Sequence, residues 1–366
     1  MTNKVSCEYL IIGQGLAGTV LAHNLLLREK SVLILDEYRS STASRVAAGL
    51  FHAITGRRIV KSWMVEELQS FAEDFYTKQE KLLHANFFFP KNLIEIISSA
   101  HEFNVWSERL DDPGIAQYLA AKPDPIIYEE KLKKFLRLMA LSGAGWMDIA
   151  RYLEASLQYF SKAGILESGK FNMDDLEVLH EGFHYKHISA QKIIFCEGSD
   201  ALQNPLWKWI PFLQSKGEIL TIQSKNLPED YILMKSLFII PLGNHRFRVG
   251  STYTWKYEDE LPTNSGKDEL LTKLKEIILV PFEILEHKSG IRPTTKDRRP
   301  LIGMHPELKN IFIFNGLGTK GVLLAPYFAN EFSEHLISGT KMNDEVRLER
   351  FYSAFNNASS LSSNGG

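Results

Sequence analysis

The chain has 366 residues, 44% of them hydrophobic and 23% charged, with 42 Lys and Arg against 44 Asp and Glu for a formal charge of −2. That length supplies a substantial core, and the near balance of charge disfavours a protein whose affinity comes from neutralising phosphates, although a local basic cleft fits within it. Cys7 and Cys196 are the only cysteines, too few for a disulfide framework or a cysteine-rich zinc site, so a reducing compartment and no metal centre are expected.

After MTNKVSCEY the chain enters the strand-like LIIG without the basic, apolar and small-residue succession of a secretion signal. No apolar stretch reaches the roughly 20 residues needed to cross a bilayer. A cytoplasmic protein without membrane contact is the expectation.

The first forty residues read as a βαβ unit: a buried strand over Tyr9 to Ile12, a glycine-rich turn, a helix from about Leu16 to Arg28, and the strand SVLILD ending at Asp36. The turn is Gly13-Gln14-Gly15-Leu16-Ala17-Gly18. Its three glycines suit a tight turn, close approach of backbone to a pyrophosphate, and close packing of helix on strand. The N–H groups at the helix start then face phosphate oxygens. Asp36, with Glu37 beside it, stands where a carboxylate accepts from ribose hydroxyls. Dinucleotide binding is therefore the reading set against a plain structural turn.

Beyond this unit, RRIVKSWMVEELQSFAEDFYTKQEKLL has helical periodicity and NFFFPKNLIEIISS reads as loop and strand. GAGWMDIARYLEASLQYFSKAG follows as a turn and an amphipathic helix, and KIIFCEG as a short buried strand. GEILTIQ, SLFIIPLG and HRFRVGSTYTW read as strands of a mainly antiparallel sheet, and KDELLTKLKEIIL as a helix. The pattern predicts an α/β, Rossmann-like domain combined with a smaller α+β domain. The polar tail from residue 351 to 366 reads as disordered.

GQGLAG at the start, AAGLF after the second strand, SKGEILTI, GIRPTTKDRRPLIG and GLGTKGVLLAP near the end occur in an order that resembles the FAD-dependent amine and amino-acid oxidases of the D-amino-acid oxidase and glycine oxidase superfamily. The resemblance covers nearly the whole chain. It implies a discontinuous FAD-binding domain over 1–80, 145–205 and 285–350, with a substrate domain over 81–144 and 206–284. The activity implied is oxidation of the C–N bond of a small amine or amino acid by hydride transfer to the flavin, with oxygen or another acceptor taking the electrons.

Carried onto this sequence, the resemblance places the pyrophosphate of FAD at Gly13, Gly15 and Gly18 and at the loop Ser41, Thr42, Ser44 and Arg45, and the flavin along Ala48, Gly49 and Leu50. Gly198 ends the CEG strand nearby. The run Gly316-Leu317-Gly318-Thr319-Lys320-Gly321 would supply N–H groups and the charge of Lys320 to the ring. Arg292, in GIRP, would grip the substrate carboxylate through a bidentate fork; the alternative is a structural ion pair with Asp297. Arg298 and Arg299 either line the same mouth or are solvated. His52 contacts ring or substrate, or is a packing histidine. Phe238, Tyr253 and Trp255 wall an apolar pocket or belong to the core. Relatives that attach FAD through a histidine before the AAGL element have Val46 at that position here, so noncovalent FAD is expected.

Two departures bear on function. Glu197 stands where the superfamily carries a small residue, and Thr319 where glycine oxidases carry an arginine. GLGTKG and GSTY are also similar to the oxidase half of the bifunctional enzyme that acts on carboxymethylaminomethyl-uridine in tRNA. Three readings follow: oxidation of a small amino acid or N-substituted amino acid, oxidation of a modified tRNA base, which the charge balance disfavours, and an FAD-holding module without turnover.

Overall fold

The computed structural model describes residues 4–55 and 59–363. Its first sheet has a parallel core in which Leu166–Ser168, Val32–Asp36, Val5–Ile12, Ile188–Phe195 and Ile311–Asn315 are successive neighbours. These strands are almost continuously apolar because helices cover them; Leu10, Ile11, Ile34, Ile193, Ile194 and Ile313 are fully buried. Leu301–Met304 adds an antiparallel edge, and a hairpin of Leu176–Val178 and Phe183–Tyr185 extends the near half of Ile188–Phe195.

Helix Leu16–Leu26 packs against the long helix Gly321–Ser338, so the two ends of the chain share one layer on this sheet. Gly18 makes the local packing possible, since a Cβ there would overlap the Gly13 carbonyl oxygen. Gly13 itself has φ +104°, and a Cβ would stand 2.6 Å from the Cys196 carbonyl oxygen.

The second sheet runs Glu283–Arg292, Ser215–Gln223, Arg246–Gly250, Phe238–Gly243, Ile232–Met234, Leu93–Ile97, Arg137–Leu141. All its pairings are antiparallel except that of Ile232–Met234 with Leu93–Ile97. Helix Asn264–Lys275 covers it through Leu270 and Leu274. Leu50–His52, Ala144–Met147 and Phe88–Pro90 form a small third sheet where the chain passes between the two bodies.

Several expectations are revised. Strand Glu283–Arg292 belongs to the second sheet, so the last return to the parallel sheet comes at Leu301 and not at 285. In GAGWM the turn is confined to Gly143, at φ +64°, and Ala144–Met147 is strand, with Gly145 packed against Phe51 and Phe89. The long helix expected from residue 57 is Val65–Leu83; residues 57 and 58 lie outside the described residues. The tail expected to be disordered from residue 351 continues as helix Tyr352–Ser363, anchored by Phe355 against Trp209 and His305; 364–366 lie outside the described residues. No described helix is long and apolar enough to cross a membrane.

Candidate active site

A cavity of about 960 Å³ opens at the carboxyl ends of the parallel strands and runs to the second sheet. That location follows from topology: neighbouring strands whose connections leave to opposite faces part a crevice at their carboxyl ends. The volume lies at the upper end of the roughly 300–1,000 Å³ of ligand sites. Most of the candidate site residues read from the sequence line it; Gly18, Ser41, Arg45, Gly316 and Trp255 do not, nor do Arg298 and Arg299.

At one end the glycine turn meets the start of helix Leu16–Leu26. Asp36 holds the turn by accepting from Gln14 N (2.7 Å), and Ser44 Oγ accepts from Leu16 N (3.1 Å). Arg45 turns away, donating to Gln14 Oε1 (3.2 Å) and stacking on Tyr38 (4.2 Å), which corrects its assignment to the loop's ligand face. Ser41 donates to Glu260. Gly316, at φ +72°, packs against Leu301 and the Arg299 carbonyl oxygen.

Beside the turn, Glu197 accepts from Asn204 Nδ2 (2.8 Å), and burial, aided by Asp200, pushes its carboxyl up to about 7. Two features here escaped the sequence reading. Arg39 pairs with Asp200 across the cavity wall, 161 positions apart with no local signal. The segment Gly169–Asp174 lines the same end because it follows the short parallel strand Leu166–Ser168, whose three residues are too few to show a period.

At the other end, helix Gly321–Ser338 begins against the cavity, with Leu317, Gly318, Thr319 and Lys320 forming its approach. Lys320 Nζ donates to Ser62 Oγ (2.7 Å). Burial, and then the charges of Arg298 and Arg299, bring its amine down to about 8. His52 Nδ1 lies 2.6 Å from the Ile54 carbonyl oxygen, so that nitrogen carries the proton and Nε2 is the acceptor. Burial, with the nearby Lys320 charge, lowers its pKa and keeps the ring neutral.

Arg292 projects from the end of Glu283–Arg292 into this half of the cavity. Its Nη2 donates to Ser251 Oγ (2.9 Å) and the Thr252 carbonyl (3.4 Å), and its guanidinium lies 4.3 Å from the centre of the Tyr253 ring. The alternative pairing fails: Asp297 is taken by Arg350 Nε (2.8 Å) and the Arg299 N–H, and no carboxylate pairs with Arg292 among the described residues. Arg299 pairs with Glu345 over Trp63, and Arg298 is exposed. Phe238 and Tyr253 line the cavity. Trp255 does not: the regular ladder ends at Gly250, and the indole just past the Thr254 bridge is carried outside, 51% exposed.

The family model described as FAD dependent oxidoreductase (DAO) matches residues 8–335. Glycine oxidase of Pseudomonas aeruginosa is 24% identical over 347 residues, 88% of this chain and 92% of that protein. The tRNA 5-methylaminomethyl-2-thiouridine biosynthesis bifunctional protein of Marinobacter nauticus is 21% identical over 94% of this chain, which spans 58% of it. Among solved structures, iminodiacetate oxidase of Chelativorans sp. BNC1 superposes with a TM-score of 0.73 at 20% identity, covering 94% of this chain and 98% of that one. Glycine oxidase of Bacillus cereus gives 0.75 at 16% identity over 92% and 96%.

Proposed function

The chain belongs to the FAD-dependent oxidoreductase family, and we propose that it oxidises the C–N bond of a small amino acid or N-substituted amino acid. Arg292 carries this reading: a guanidinium at the cavity wall, held in place by Ser251 and Thr252 and lacking a carboxylate of its own. A planar fork so held fits a substrate carboxylate and fixes the carbon beside it. Glycine and iminodiacetate, named for two of the similar proteins, are both amines that carry a carboxylate.

The cavity fits FAD. The glycine turn and Ser44 would hold the pyrophosphate, Asp36 and Glu37 the ribose, and Ala48–Leu50 with Leu317–Gly321 the flavin, all without a covalent bond. The bound flavin supplies a hydride acceptor. Position and field come from the chain: the free N–H groups of helix Gly321–Ser338 and the Lys320 ammonium favour negative charge on the ring. The amine must be neutral when its neighbouring C–H bond breaks, and His52 Nε2 is an acceptor for its proton. Loss of hydride and proton leaves a C=N bond, which water hydrolyses to a carbonyl compound and an amine; oxygen or another acceptor then takes the two electrons.

The test is anaerobic mixing of the yellow protein with glycine, N-methylglycine and iminodiacetate, with methylamine as the carboxylate-free control and tRNA as a further arm. Bleaching by a carboxylate-bearing amine and not by methylamine is expected, and admitting oxygen with a peroxide assay then identifies the acceptor. A flavin that none of the amino acids bleaches overturns the reading.

A further inference from the structure

We propose that Tyr253 and Trp255 form a second binding subsite at the rim of the cavity, for a planar aryl group carried by the amino-acid substrate. The proposal rests on the reading of Arg292 as carboxylate anchor. Beyond Gly250 the chain runs on beside Ser215–Gln223: Thr252 N donates to the Glu218 carbonyl oxygen at 3.2 Å, and Thr254 is bridged in both directions to Lys216 at 2.9 Å. Alternation along an extended chain sends successive side chains to opposite sides. Thr252 points inward, 1% exposed, and its hydroxyl accepts from Glu218 N. Tyr253 and Trp255 point outward, 53% and 51% exposed.

The result is a graded row leading from the cavity to solvent. The Arg292 guanidinium lies 4.3 Å from the Tyr253 ring centre, and the Tyr253 and Trp255 rings are 6.4 Å apart at 41°. Tyr253 lines the cavity and Trp255 stands just beyond it. Single exposed aromatics on a surface need no explanation, but two adjoining ones continuous with a binding cavity mark an interaction site. Tyr253 has one flank occupied by Arg292, whereas Trp255 has only the tilted Tyr253 ring beside it among its ring contacts, so the indole is the larger open surface. A carboxylate seated on Arg292 leaves the rest of its molecule within reach of that surface. Stacking is tolerant of the identity of the group provided that it is planar. An aryl-bearing amino acid, with the ring on nitrogen or on the side chain, therefore gains contacts that glycine cannot make.

The experiment uses the FAD-loaded protein. The ratio of kcat/KM for N-benzylglycine and for phenylalanine over that for N-methylglycine is measured in wild type, Trp255→Ala and Trp255→Phe. In parallel, binding of 3-phenylpropanoate and propanoate, which carry no amine to oxidise, is followed by the flavin absorbance. At least one aryl substrate is expected to lose roughly five- to tenfold of its advantage in Trp255→Ala and to keep most of it in Trp255→Phe. The arm that loses it identifies where the ring is attached. Ratios and relative affinities that ignore Trp255→Ala overturn the subsite. If 3-phenylpropanoate binds more tightly than propanoate in a Trp255-dependent way while no amine bleaches the flavin, the subsite stands and the proposed oxidation falls.

Discussion

A single methyl group at position 217 tests the role of Arg292 without touching Arg292. Gly217 faces Gly290 across the pairing of Ser215–Gln223 with Glu283–Arg292, and the Arg292 side chain folds back over it. A Cβ at Gly217 would overlap Nη1, Nη2 and Cζ of that guanidinium. The backbone at 217 is ordinary strand, so alanine itself is tolerated there, and the atoms that must yield are the end of a flexible side chain. Gly217→Ala is therefore expected to fold and to purify yellow, with the guanidinium moved off Ser251 and Tyr253. Truncating one member of a hydrogen-bonded, desolvated charge pair costs roughly 2–5 kcal/mol. Displacing the group costs less than removing it, so the lower end applies: about 2 kcal/mol, or roughly 30-fold in kcat/KM, mainly through KM. Arg292→Ala is expected to lose more, and the double variant no more than Arg292→Ala alone, because both changes act on one contact. Stopped-flow flavin reduction under anaerobic conditions reads all three. Gly217→Ala activity within about threefold of wild type, or losses that add in the double variant, refutes Arg292 as the anchor.

Two further outcomes concern the cofactor end. A Cβ at Gly15 would already stand 3.3 Å from Ser44 Oγ, so Gly15→Val fills the space through which the backbone approaches a pyrophosphate; folded but colourless protein is expected, and a yellow preparation rejects this turn as the phosphate site. Glu197 sits beside the same turn, with Asp200 and the Arg39 paired to it facing it from the neighbouring loops and Asp36 and Glu37 across the cavity. Its carboxyl, lifted to about 7 by burial, contributes stability below the ordinary carboxylate range that is lost as pH rises through 7. Ionisation would also set a negative charge beside the proposed phosphate site, so FAD release, followed by flavin fluorescence, should increase from about pH 6 to about pH 8 in wild type and stay flat in Glu197→Gln. Parallel profiles in the two proteins remove Glu197 from this role.

The parts of the site that were legible in the sequence are those built by neighbours in the chain. The turn Gly13 to Gly18, Asp36 at the end of its strand and the glycine run before helix Gly321–Ser338 each carry their geometry within a few residues, so residue type and spacing suffice. What escaped is set by contacts between distant segments. Arg45 was placed by its loop, but its direction depends on Tyr38 and Gln14. Trp255 was read as part of a strand, yet the regular ladder ends at Gly250 and only a single bridge from Thr254 to Lys216 follows, which leaves the indole outside the cavity. The tail is low in complexity, but Phe355 finds Trp209 and His305 while Phe351 and Tyr352 pack on the core beneath the parallel sheet, and these aromatic contacts outweigh an otherwise polar composition.

Gly217 shows the limit most clearly. It stands in SKGEILTI, one of the segments that carries the family resemblance, where a glycine inside a strand reads as a weakness in the sheet. The structure gives it a different physical meaning: it is the room into which the side chain of a residue 75 positions later folds. A glycine at a positive φ can be inferred from the turn around it. One that is required because a distant guanidinium lies across it leaves no trace in local pattern. The arginine and the glycine together make the proposed carboxylate site, and only the arginine has a chemistry that announces itself in sequence.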